Sequence, residues 1–355
     1  MITFYPGPSK VYPQVGQYVQ EAFESGLVSA NHRSESFMKM LRETIDLLKF
    51  KLAVPDEYEV YLVSSATECW EIVAQSLVEH ASLHIYNGAF GEKWMEYTQR
   101  LVPQSFGAGY DFNAAPAMDA LDVPVSQVIC FTHNETSNGT KLPDTYLAGV
   151  RQHVGNVIAV DATSSMAGVM LPWYDADLWY ASVQKCFGLP AGLGVMIASP
   201  RAIAQAERVG ERNHYNSFLF VRENFLKYQT PYTPNILGIY LLNRVMQLVQ
   251  PIQVVDGSTR ATAKIWYDFL AANHYQLHVE NEAVRSDTVI AVRASAARIS
   301  YLKTAAKEQG IILGNGYGAD KETTFRIANF PAITGQEMAI LQGFLVREAE
   351  NPSHE

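Results

Sequence analysis

Only three cysteines occur in 355 residues. Cys69, Cys130 and Cys186 are too few and too scattered for a disulfide framework or a metal site, so neither is expected. Cys186, beside Lys185, reads as a small residue packed under a turn. Basic residues are also scarce: 27 Lys and Arg against 36 Asp and Glu leave a formal charge of −9. With no basic run, nucleic acid is not expected as a partner. No apolar stretch approaches the roughly 18–20 residues of a membrane span, so membrane insertion is not expected either. The opening Met1-Ile2-Thr3-Phe4-Tyr5-Pro6 lacks the basic and apolar regions of a signal peptide, and the expected location is the cytoplasm. No Gly-x-Gly-x-x-Gly follows the first strand-like run, which argues against a nicotinamide dehydrogenase. What the chain has in quantity is apolar residues, 48% against 18% charged, a globular composition at a length that favours two domains.

Short β-branched runs alternate with longer helical patterns between residues 59 and 250. Residues 59–63, 83–86, 128–131, 157–160, 178–182 and 195–198 read as buried strands. Residues 66–78 and 91–101 read as helices between them. That alternation predicts a largely parallel sheet covered on both faces. Beyond Pro251, which ends a helix over 237–250, the pattern predicts helices at 259–273, 295–309 and 335–350 and strands at 289–293, 310–313 and 324–328. These form a smaller α/β unit that the extreme N-terminus is expected to join.

In parallel sheets ligands bind beyond the carboxyl ends of the strands. Two such ends carry chemistry. The run 178–184 stops at Lys185 and enters Gly188-Leu189-Pro190-Ala191-Gly192-Leu193-Gly194. The run 157–160 stops at Asp161. A lysine amine can bind an aldehyde covalently, and a carboxylate can keep a pyridine nitrogen protonated, so the pair suits a Schiff-base cofactor. Two ordinary strand-end charges facing solvent would show the same spacing. Ser64-Ser65-Ala66-Thr67 opens a helix after a strand; its backbone N–H groups, hydroxyls and dipole suit a phosphate, and Ser or Thr there also makes a plain N-cap. Tyr86-Asn87-Gly88-Ala89-Phe90-Gly91 joins another strand to a helix. An aromatic at that turn can lie over a planar ring, and Trp94 one turn later is the other candidate.

Further segments complete a series: Pro6-Gly7-Pro8, Asn31-His32-Arg33-Ser34-Glu35-Ser36-Phe37, Asn134-Glu135-Thr136-Ser137-Asn138-Gly139, Asp161-Ala162-Thr163-Ser164-Ser165, Gln229-Thr230-Pro231 and Phe325-Arg326-Ile327. Taken in order over nearly the whole chain, the series resembles the class V, fold-type-I aminotransferases that use pyridoxal 5′-phosphate. Among these it is most similar to the phosphoserine aminotransferases. The resemblance implies an α/β fold: a large cofactor-binding domain over 14–250, with a mostly parallel seven-stranded sheet between helices. A smaller α/β domain would comprise 1–13 and 251–355.

The resemblance also implies roles. Lys185 would carry the cofactor as an aldimine and later move a proton, and Asp161 would pair with the pyridine nitrogen. Thr136 would bond near the ring hydroxyl, and Phe90 would stack on the ring where the family usually has Trp. Ala66, Thr67 and Gln184 would hold the cofactor phosphate, with Gln229 and Thr230 from a second subunit of a homodimer. Arg326 would fork onto the substrate α-carboxylate. His32 and Arg33 would reach from the partner to the substrate's distal anion. No metal is implied. Two cationic contributors of the family are missing, because Ala66-Thr67-Glu68 replaces a Gly-Gly-Arg and no His-Arg precedes Arg326. Lys321 is the candidate to compensate. The implied reaction is transamination between phosphoserine and 2-oxoglutarate in serine biosynthesis. An alanine- or serine-type transaminase using glyoxylate or pyruvate is the alternative. A cysteine desulfurase is a third possibility, disfavoured because no cysteine sits in a suitable loop.

Overall fold

The computed structural model describes residues 1–121 and 128–349. The chain opens with β1 (Ile2–Phe4), α1 (Val15–Glu24) and α2 (Glu35–Leu52). It then alternates through β2 (Glu59–Val63), α3 (Ala66–Ser76), β3 (Ser82–Tyr86), α4 (Ala89–Leu101), β4 (Phe106–Gly109) and β5 (Val128–Thr132). A small hairpin, β6 (Asn134–Glu135) and β7 (Thr140–Lys141), leads to α5 (Tyr146–His153), β8 (Val157–Asp161), β9 (Leu178–Ser182) and β10 (Gly194–Ala198). Three helices follow, α6 (Pro200–Val209), α7 (Phe218–Phe225) and α8 (Ile236–Leu248). The remainder is α9 (Ile252–Ala272), β11 (Gln276–Leu277), β12 (Val289–Arg293), α10 (Ala296–Glu308), β13 (Ile311–Asn315), β14 (Thr324–Ala328) and α11 (Gly335–Ala349).

The larger sheet has seven strands in the order β2-β10-β9-β8-β5-β3-β4. Strands β9, β8, β5, β3 and β4 run parallel, while β10 is antiparallel to both of its neighbours. Every residue of β8, β9 and β10 is buried, as expected of strands covered on both faces. The second sheet is ordered β1-β13-β14-β12-β11. In it β1 lies parallel to β13, so the N-terminus joins this sheet as expected. Its core is a separate cluster built on Phe4, Trp266, Phe325, Leu341 and Phe344.

Two expectations need correction. The strand β4 was not legible, because Phe106-Gly107-Ala108-Gly109 has no β-branched residue. Its glycine is a packing requirement: a Cβ on Gly107 would lie 2.7 Å from Cε1 of the Tyr86 ring on the adjacent strand. The helix expected from 259 starts at Ile252 instead. Pro251 ends α8 yet is tolerated immediately before a new first turn. Asp256-Gly257-Ser258 is part of the helix, with Asp256 Oδ1 accepting from Arg260 Nε at 2.9 Å.

Candidate active site

Strands β5, β8 and β9 end side by side, and beyond their carboxyl ends lies a cavity of about 230 Å³. Its charged lining residues are Asp161, Lys185 and Arg326. Lys185 follows β9 and is buried, with its Nζ donating to Thr136 Oγ1 at 2.7 Å. Thr136 Oγ1 in turn donates to Ser164 Oγ at 3.0 Å. The Pro6-Gly7-Pro8 segment straps over the lysine, held by Ser9 N donating to the Gln184 carbonyl at 3.0 Å. Gly7 sits at a φ of +154°, and a Cβ there would stand 3.0 Å from Lys185 Cε, so a larger residue would strain the strap and crowd the lysine. Burial pulls the lysine pKa down to about 8, with Asp161 and Glu135 opposing the fall.

Asp161 ends β8. Its Oδ1 accepts from Thr163 N at 2.9 Å and its Oδ2 from Trp70 Nε1 at 3.3 Å. Burial raises its pKa, against the opposing pull of the Thr163 hydrogen bonds, the Lys185 charge and the Trp70 N–H. Among the described residues it has no salt-bridge partner. A buried carboxylate held by neutral donors, with one edge on a cavity, is suited to a cationic ring nitrogen.

At the start of α3, Ser65 is the N-cap, its Oγ accepting from Glu68 N at 3.1 Å. The capping reading therefore holds. Ala66 and Thr67 line the cavity with Gln184, although Ala66 N already donates to Ser182 Oγ at 2.8 Å. Glu68, which stands where the resembling family carries Arg, does not line the cavity. Its Oε2 accepts from Ser64 N and Oγ, both at 2.7 Å, and its Oε1 from Tyr215 Oη at 3.1 Å. The absent arginine is thus not replaced by a repulsive charge in the site.

Of the two candidate aromatics, Phe90 and not Trp94 lines the cavity. The Phe90 ring centroid lies 5.2 Å from Lys185 Nζ. Trp94 is buried elsewhere, edge-on to His84 and Tyr180. The turn that aims Phe90 is fixed by the buried Glu135, whose Oε2 accepts from Phe90 N and Gly91 N at 3.2 Å each. On the opposite wall β14 delivers Arg326. Its Nε donates to the Asn315 carbonyl at 2.6 Å and its Nη1 to the Thr136 carbonyl at 2.5 Å. Burial lowers its pKa, but a guanidinium remains charged. Tyr317 packs its ring against both walls, 5.1 Å from the Phe90 centroid and 5.7 Å from Arg326 Cζ.

The class-V aminotransferase family model matches residues 98–324. A solved phosphoserine aminotransferase from Cytophaga hutchinsonii superposes with a TM-score of 0.93, at 32% identity over 98% of each chain. The chain belongs to the class-V aminotransferases. A phosphoserine aminotransferase of Rhodococcus opacus (strain B4) is 27% identical over 350 residues, covering 94% of this aminotransferase and 91% of the relative. An alanine–glyoxylate aminotransferase from Nostoc sp. has a TM-score of 0.85 over 98% of this chain and 94% of that one, but at 19% identity it speaks for the fold alone.

As a class-V aminotransferase the enzyme is a transaminase that depends on pyridoxal 5′-phosphate. The cavity fits that group. It offers a buried amine, a carboxylate short of a cation, a helix N-terminus and an aromatic wall in one enclosure. The hydroxyl of Thr132 also lies among its lining residues, without a hydrogen-bond partner among the described residues.

Eight of the residues named from sequence line this cavity: Ala66, Thr67, Phe90, Thr136, Asp161, Gln184, Lys185 and Arg326. His32, Arg33, Gln229 and Thr230 do not. They lie about the start of α2: Gln229 Nε2 contacts Met38 Sδ at 3.5 Å, and His32 and Arg33 directly precede the helix's N-cap, Ser34. Lys321, the candidate to compensate for the missing cations, is exposed, 3.8 Å from Glu322 Oε1, and does not line the cavity. Sequence reasoning missed Trp70, Tyr317 and Glu135 as site residues. Trp70 is four positions after Ala66, one helical turn on, and an acidic residue inside Asn134-Glu135-Thr136 was visible. Tyr317 gave no signal. None of the three cysteines lines the cavity, and all are buried. Among the described residues no helix is long and apolar enough to cross a membrane, and no acidic, His or Cys cluster could hold a metal.

Proposed function

We propose that this aminotransferase moves the amino group of phosphoserine to 2-oxoglutarate in cytoplasmic serine biosynthesis, with its cofactor joined covalently to Lys185. The observation that carries the reading is one enclosure holding a buried amine, a buried carboxylate and a buried guanidinium. The phosphoserine aminotransferases among its relatives support the substrate.

When bound, pyridoxal 5′-phosphate supplies an aldehyde for the amine and a ring that draws electrons from the substrate α-carbon. Asp161, oriented by Trp70 and Thr163, would hold the proton on the ring nitrogen. Ala66, Thr67 and Gln184 would hold the phosphate at the start of α3, and Phe90 would meet the ring. Arg326, braced by two carbonyls, keeps N–H groups for the substrate α-carboxylate and so fixes which bond at the α-carbon faces Lys185. Lys185, once the substrate's amine has displaced it from the cofactor, would take the α-proton. Burial, the first cause of its depressed pKa, favours the neutral amine that a base requires.

Gln229, Thr230, His32 and Arg33, gathered at the start of α2, serve the site of a second subunit in the same reading. The test is a comparison of kcat/KM for phosphoserine, alanine and serine with 2-oxoglutarate as acceptor. Phosphoserine should lead by at least tenfold, and a preference for alanine or serine would reject this substrate while leaving the transaminase.

A further inference from the structure

An amino acid with an acidic side chain needs cations at both ends. The cavity lining supplies Lys185 for the chemistry and Arg326 for the α-carboxylate, and no third cation. The wall beside it does. Lys93 lies on α4, three residues after Phe90, and its Nζ donates to Tyr317 Oη at 2.6 Å and stands 5.0 Å from the centroid of that ring. Tyr317 touches both Phe90 and Arg326, so a chain of contacts links Lys93 to both substrate-facing walls. Among the described residues Lys93 has no carboxylate within salt-bridge distance, although Glu96 lies one turn away on the same helix. Its charge is therefore held by a neutral phenol at the rim of an active site, not neutralised by an ion pair.

The geometry points to Lys93, positioned by Tyr317, as the cation of this chain's own site that receives the anionic far end of the substrate, a phosphate or a side-chain carboxylate. This rests on the transaminase reading above and adds a specificity residue to it. An ammonium on a flexible stem can swing from the Tyr317 hydroxyl to an incoming anion, and its compact charge suits either anion. Tyr317 keeps it within reach when no substrate is present.

The test uses the cofactor-loaded enzyme, its Lys93→Gln variant and its Lys93→Arg variant. Calorimetric binding of glutarate, which carries both anions but cannot react, should weaken tenfold or more in Lys93→Gln and return to within about threefold of wild type in Lys93→Arg. The kcat/KM for phosphoserine should fall by a similar factor in Lys93→Gln, while the single-turnover rate with alanine stays within twofold. Glutarate affinity within twofold of wild type in Lys93→Gln overturns the proposal. So does an equal loss for alanine, which marks a structural role. A wild type that rejects phosphoserine while its glutarate affinity still depends on Lys93 sinks the phosphoserine reading and leaves Lys93 standing.

Discussion

Replacing Lys185 with Met should stabilise the cofactor-free protein, and the gain should disappear at high pH. Lys185 is buried, and its pKa falls from an ordinary 10.5 to about 8. Each unit of difference between folded and unfolded pKa corresponds to about 1.4 kcal/mol, so the site works against folding by about 3 kcal/mol. The sign follows from proton counts. Below pH 8 the amine is charged in both states and the full cost of burying it is present. Between pH 8 and 10.5 the folded protein has released the proton and the unfolded chain has not, so stability rises with pH. Above 10.5 both are neutral and the cost is gone. Met keeps the length and never charges. Urea unfolding of both cofactor-free proteins at pH 7.5, 8.5, 9.5 and 10.5, at one protein concentration, measures the difference. Other titrations common to both proteins, among them the buried tyrosines, cancel. The Met variant's advantage should shrink by about 3 kcal/mol across that window. A difference that stays constant to within about 0.5 kcal/mol would refute the reasoning, because the lysine would then be as easily charged inside the protein as outside it.

Asp161→Asn keeps the bond from Thr163 N but removes the charge, so proton abstraction should slow by about a hundredfold or more in stopped-flow traces; near-normal rates would make the carboxylate structural. Arg326→Lys replaces a braced fork with a point charge, and kcat/KM should fall about tenfold or more for every amino acid alike. A loss confined to phosphoserine would reassign Arg326 to the side-chain end. Mixing Arg33→Ala with Lys185→Met subunits should restore partial activity, since one site in each mixed dimer would be intact. Verified exchange without recovered activity would show that sites are not shared.

The alternation of short apolar runs with helical patterns was enough to place six of the seven strands of the large sheet. Buried parallel strands must be continuous and β-branched, and such runs are conspicuous. Lys185 and Asp161 were legible for the same reason: a charge that ends an apolar run marks a strand's carboxyl end. Local signals also found Ser65 as a cap. What failed locally was β4, whose Gly107 answers to the Tyr86 ring across the sheet, and the start of α9, which lies seven residues before the expected 259.

The chain alone thus settled six strands of the large sheet and which of their ends carry charge, because both follow from residues adjacent in sequence. It could not say whether Phe90 or Trp94 faces the cavity, since the two lie one turn apart and only packing against His84 and Tyr180 removes Trp94 from contention. Nor could it show that Trp70 meets Asp161 across 91 positions, or that Lys93 meets Tyr317 across 224. Those contacts are made between elements distant in sequence, and their partners are chosen by how strands and helices pack, which no local pattern encodes.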